Sequence, residues 1–132
     1  MARDGIVEAW MNLWILAGGL LAAICTAGHA WAGRDMYFRP IRSRLTDAVQ
    51  ASVFAGMWHF ITVAFALSSL TLLACGIAGR SGLAVWLIAA EFTGYAAIDL
   101  VLSLQLGGFA TLFQWMLFAG VGLLAAIGAV LS

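Results

Sequence analysis

The sequence predicts an all-α integral membrane protein, a four-transmembrane-helix up-down bundle forming one domain over residues 1–132. Three observations predict it. Of the 132 residues, 64% are hydrophobic and 9% charged, where a soluble domain carries roughly 25% charged residues. A small globule cannot hide that much apolar surface in a core. The apolar residues also fall into four segments, 9–32, 48–77, 82–104 and 109–131, and about 20 residues suffice to cross a bilayer. Finally, four of the six arginines, Arg34, Arg39, Arg42 and Arg44, lie in one intervening stretch.

The first segment ends, on this reading, at Gly33-Arg34-Asp35. Its Ala30-Trp31-Ala32 resembles a signal-peptide cleavage site, but Asp4 and Glu8 beside Arg3 deprive it of the positive start such peptides carry. It is therefore read as a span. Residues 33–47 form a cytoplasmic loop by the positive-inside rule, leaving both termini outside. The expected location is a bacterial inner membrane. Met36, Tyr37, Phe38 and Ile41 interleave with the loop arginines, a mixture suited to the headgroup level. The single proline, Pro40, lies in this loop. Asp47 followed by Gln50 predicts a capping box that starts the second helix. Gly79 and Gly82 bracket the turn before the third helix, and Gly107 and Gly108 the turn before the fourth. Trp10, Trp14, Trp31 and Trp86 fall near predicted interfaces, while Trp58 and Trp115 lie deeper.

Charge and cysteine narrow the function. The formal charge is zero with no lysine, so there is no basic field for nucleic acid. Cys25 and Cys75 belong to different helices and opposite depths, so both are read as small apolar residues.

His29, His59, Glu91, Asp99 and Gln114 are costly inside a bilayer, and each needs a partner or a purpose. Asp99 and Gln114 lie about 8 Å from the cytoplasmic ends of their spans, His29 is shallower and Glu91 is near the midplane. Helical spacing puts His29 on a face with Ala22 and Cys25, and His59 on one with Ser52, Ala55, Thr62 and Ala66. Small residues mark faces of close helix approach, so both histidines are expected to point inward. Glu91, Tyr95 and Asp99 follow i, i+4, i+8 on the third helix. Gln114 shares a face with Gly107, Ala110 and Thr111. Ser68, Ser69 and Thr71 in the outer half are read as bonding their own helix backbone.

The sequence contains no nucleophile–base set, phosphate-binding glycine loop or C-x-x-C pair, so no enzymatic activity is predicted. The leading expectation is an accessory or anchoring subunit, acting through its helices on a membrane-protein partner or a second copy. The small-residue step from Gly122 to Ala126 on the last helix offers the contact. An alternative is a cofactor module in which His59 and His29 hold a haem, a chlorophyll-type pigment or a metal ion. In the metal version, Glu91 or Asp99 completes the ligand set. A further alternative is a small oligomeric transporter with Glu91 as the titrating group.

Overall fold

The computed structural model describes residues 11–109 and 111–132. Arg3, Asp4, Glu8, Trp10, the first two positions of the predicted first span, and Ala110 lie outside the described residues. Among the described residues the chain forms four helices: α1 (Leu13–Arg42), α2 (Ala48–Ile77), α3 (Leu83–Gln105) and α4 (Gln114–Val130). The first three, of 30, 30 and 23 residues, are long and apolar enough to cross a membrane. Helix α4 has 17 residues, about 25 Å at the α-helical rise.

The helix ends follow local chemistry. Asn12 caps α1 by accepting the amides of Trp14 and Ile15 through Oδ1. Asp47 caps α2 by accepting the Gln50 amide at 2.8 Å. Gly79 and Gly107 take positive φ, 61° and 105°, a region open to glycine at little cost. Each closes a helix with paired reversed bonds, Arg80 N–H to the Cys75 carbonyl and Gly108 N–H to that of Ser103. This is the Schellman arrangement, which satisfies carbonyls that the helix end leaves open.

Two boundaries differ from the sequence expectation. Residues 33–42 are not loop: α1 runs on as a π-helix over Gly28–Phe38 and a closing α-turn over Arg39–Arg42. Gly33 does not end the helix. It is buried, and a Cβ there would lie 3.1 Å from the Trp58 ring, so glycine is the residue that lets α1 pass this indole. Pro40 sits in the first turn of the closing α-segment, where a missing N–H is tolerated. The second difference is at α4, which begins at Gln114 rather than 109. Ser103 folds the connector back by donating to the Gly108 carbonyl at 2.6 Å and accepting the Leu112 amide at 3.1 Å. Trp115 Nε1 donates to the Phe109 carbonyl at 2.8 Å.

Helix α1 packs along α2 and α4, and α4 packs along α3, while α2 and α3 meet sparsely. One end of the bundle holds Asn12, Ser132 and the α2–α3 turn. Asn12 N–H donates to the Gly76 carbonyl at 2.8 Å, and Asn12 Nδ2 donates to the Gly128 carbonyl and to Ser132 Oγ. The opposite end carries the 43–47 and 106–113 connectors. Ile15, Leu72, Val85, Phe92 and Val121 are fully buried in the centre. Large apolar side chains such as Leu20, Phe60, Leu87 and Leu123 are exposed on the outer faces of all four helices. Surface of that extent marks contact with lipid or protein rather than water.

Candidate functional site

The loose α2–α3 seam has a physical cause at its centre. Phe65 from α2 meets Phe92 and Tyr95 from α3 and Phe118 from α4, with ring centroids 5.3–5.6 Å apart. Rings in edge and tilted contact fill the seam without letting the backbones close. Ser68 Oγ bridges it by donating to Glu91 Oε2 at 3.1 Å, and Tyr95 Oη donates to Glu91 Oε1 at 2.6 Å. Both oxygens of Glu91 therefore have protein partners.

Beyond this aromatic floor, toward the connectors, opens a cleft of about 480 Å³. The volume lies within the range of small-molecule sites. Helix α1 contributes Gly28, His29, Ala32, Gly33, Met36 and Tyr37. These recur every fourth residue, close to one helical turn, and so share one side of the helix. Helix α2 contributes Trp58, Ile61 and Phe65, α3 contributes Tyr95, Ile98 and Asp99, and Gln114, Leu117 and Phe118 come from α4.

The walls are mostly apolar, with a few polar groups set into them. His29 stacks on Trp58 with centroids 4.0 Å apart and planes 19° from parallel. Its Nε2 lies 3.3 Å from the Trp58 carbonyl. A carbonyl can only accept, so Nε2 carries the proton in that contact. The Asp99 carboxylate lines the cleft with no hydrogen-bond or ion-pair partner among the described residues. Among the described residues it pairs with none of Arg34, Arg39, Arg42 and Arg44; Arg34 and Arg39 both pair with Asp35. Gln114 lines the cleft too, and its Oε1 is buried without a partner.

The structure thus brings His29, Tyr95, Asp99 and Gln114 to one cleft, with Glu91 behind Tyr95. It does not bring His59 there. The expectation that both histidines point inward is corrected: His59 is exposed, with the Phe38 ring 6.1 Å away. Adjacent helix residues point about 100° apart, and Trp58 takes the inward position. The inward stripe of α2 is Ala51, Trp58, Phe65 and Leu72, a strict seven-residue spacing. That spacing was the available signal, and small residues were the wrong guide. The reading of Ser68 and Ser69 is corrected as well. Ser68 reaches Glu91, and Ser69 Oγ donates to the Gly19 carbonyl of α1 at 3.1 Å, so both cross-link helices.

Among the described residues, no three His, Cys, Asp or Glu side chains group closely enough to hold a metal. His29, His59, Glu91 and Asp99 are dispersed over the cleft, its floor and the outer surface. Cys25 and Cys75 are free thiols, and Cys25 lines the cleft. On α4, Gly122 is buried inside the chain, where a Cβ would meet Thr93 Oγ1 at 2.7 Å and the Ala89 carbonyl at 3.1 Å. Ala126 packs partly buried against the core. Comparison of the chain with protein-family models, curated proteins and solved structures finds no match to any of them.

Proposed function

We propose that the chain is an integral membrane protein whose four helices cross the bilayer as one up-down bundle, and that its cleft binds a small, mostly apolar molecule with one polar end. The cleft carries this reading. It has the volume of a ligand site, walls from all four helices, and Asp99, Gln114 and His29 set into an aromatic lining. Apolar walls with a few placed polar groups are the usual makeup of such a site. The arginines at the connector end of α1 support orienting that end, and with it the cleft mouth, toward the cytoplasm of a bacterial inner membrane. Both termini then face outward.

The other readings have less to support them. A partner on α4 was motivated by its small residues, and Gly122 spends its space on Ala89 and Thr93 of the same chain. Transport through Glu91 is weakened because both carboxylate oxygens are engaged, outside the cleft lining. A haem fits poorly, since its propionates would meet the Asp99 carboxylate and no arginine among the described residues lines the cleft. His59 stands on the other side of α2 from any group held by His29.

The test uses three naphthalene probes, the 1-methylamine, the 1-methanol and the 1-acetate, with the full chain in phosphatidylcholine nanodiscs. Partition into empty discs is subtracted. Gly28 lines the cleft, and a Cβ there meets nothing within 4 Å, so Gly28→Leu fills the cleft while keeping its helix. Gly94 has equal room outside the cleft lining, so Gly94→Leu is the control. Saturable binding of at least one probe is expected, weakened about tenfold or more by Gly28→Leu alone. No saturable binding by any probe, or equal binding by both variants, overturns the reading.

A further inference from the structure

The charge pattern of the cleft narrows the ligand's chemistry, on the reading that the cleft is a ligand site. Among the described residues, Asp99 is the one carboxylate in the lining, and no arginine accompanies it. Of the arginines in residues 34–44, Arg34 and Arg39 pair with Asp35 at the exposed surface, and among the described residues neither Arg42 nor Arg44 pairs with Asp99. A carboxylate in apolar surroundings is costly unless a cation or hydrogen-bond donors compensate it, and among the described residues the chain provides neither. The Tyr95 hydroxyl, the neighbouring donor on α3, is given to Glu91. The remaining wall is rich in aromatic rings, with Trp58, Phe65, Tyr95, Phe113 and Phe118 all lining the same space. Ring faces carry the negative lobe of the quadrupole and attract cations, most strongly where water is excluded. His29 adds another acceptor, because Nε2–H faces the Trp58 carbonyl and leaves the Nδ1 lone pair.

The geometry points to a lipophilic cation, a protonated amine on an aromatic or alkyl body, as the occupant of the cleft, with its ammonium group held by Asp99. The cation offsets the uncompensated carboxylate and supplies the N–H donors it lacks. The apolar body displaces lipid or water from the aromatic walls. An anion of the same size would meet Asp99 without a counter-charge, and a neutral molecule would leave that carboxylate unpaired.

The three naphthalene probes share one ring system and differ in charge at neutral pH. In the wild-type chain the amine is expected to bind about tenfold more tightly than the alcohol, with the acetate weakest. Asp99→Asn should bring the amine down to the level of the alcohol without weakening the alcohol. Asp99→Glu should restore at least part of the preference. Should Asp99→Asn lose its helix content, the wild-type ranking and Asp99→Glu still decide. Equal binding of amine and alcohol by the wild-type chain overturns the cation assignment. So does an amine preference that survives Asp99→Asn. Both outcomes leave the cleft standing as a ligand site, without an ammonium held by Asp99. Failure of all three probes removes the ligand-site reading, and the cation assignment falls with it.

Discussion

The two ends of the bundle use glycine in opposite ways. At the end that holds Asn12 and Ser132, helical glycines are compressed. A Cβ on Gly76 would lie 2.6 Å from the Leu16 amide nitrogen, one on Gly19 2.8 Å from that of Leu73, and one on Gly128 2.9 Å from that of Ile15. These are backbone contacts, and a backbone cannot rotate out of the way. At the cleft end, a Cβ on Gly33 would meet only the Trp58 side chain at 3.1 Å among neighbouring helices, and Gly28, Gly56 and Gly94 would each gain a Cβ with nothing within 4 Å. Close backbone approach gives membrane helices dispersion contact where the hydrophobic effect offers no drive. The chain therefore concentrates its cohesion at one end and leaves space at the other. Volume for a ligand can then coexist with a tightly joined bundle.

The sharpest way to break that contrast is one methyl group placed at each end. Gly76→Ala pushes against the α1 backbone and should cost about 1–3 kcal/mol. Gly94→Ala meets nothing and removes glycine's backbone entropy, so it should be neutral or gain up to about 1 kcal/mol. Thermal or denaturant unfolding of the solubilised protein, followed by far-UV circular dichroism, reads both. Equal losses at the two positions would abolish the distinction between the ends.

Asn12 comes next in size. It caps α1 with its Oδ1 and ties α4 with its Nδ2. Its backbone N–H on Gly76 persists in any variant. Asn12→Ala should cost about 1–2 kcal/mol, and Asn12→Asp less, because Asp keeps the cap and loses the donor to Gly128. The same unfolding measurement checks the order. If Asn12→Asp proves as damaging as Asn12→Ala, the cap is not the larger part of what Asn12 does.

Much of this contrast was hidden from the sequence, for reasons that differ by residue. The apolar helices were legible because a hydropathy run of 20 or more residues has few soluble explanations. Gly79, Gly107 and Asp47 were legible because helix ends obey local rules. His29, Asp99 and Gln114 were legible as a set through their cost in an apolar segment. Helix rotation was not. Alanine and glycine are so abundant here that a small-residue face can be drawn on several sides of α2, and the face chosen put His59 inside. The π-helix over Gly28–Phe38 was illegible, as was the passage of Gly33 over Trp58 within it, a contact between helices. Asn12 gave no sign of its role, since its partners Gly76 and Gly128 are contributed by backbone carbonyls.

The Glu91 bridge across the α2–α3 seam should have a smaller effect. Tyr95→Phe and Ser68→Ala each remove one donor from the carboxylate. Ser68–Glu91 is the bond between helices, and such bonds in a membrane average about 0.6 kcal/mol. Tyr95–Glu91 lies within α3 at i, i+4, where a pair is worth about 0.2–0.5 kcal/mol, so each loss should be of its own bond's order. The double variant should cost more than the sum, because Glu91 is then left with neither partner. Strict additivity in the unfolding data would mean that the carboxylate finds other donors and that the seam is held by its aromatic rings alone.

The smallest expected effect is at His59. Its side chain is exposed on the outer face of α2, and its nearest ring is Phe38, 6.1 Å away. His59→Leu should change stability by no more than about 0.5 kcal/mol and leave binding of the naphthalene amine unaltered. His29→Leu makes the same chemical change at the residue that stacks on Trp58, the neighbour of His59 in the chain, and meets its carbonyl. That substitution removes an aromatic stack and a hydrogen bond together, and it alters the cleft wall. The two histidines look alike in sequence, each a lone imidazole in an apolar helix. Equal responses at the two positions would mean that His59 faces the interior as His29 does, and the inward stripe of Ala51, Trp58, Phe65 and Leu72 would have to be redrawn.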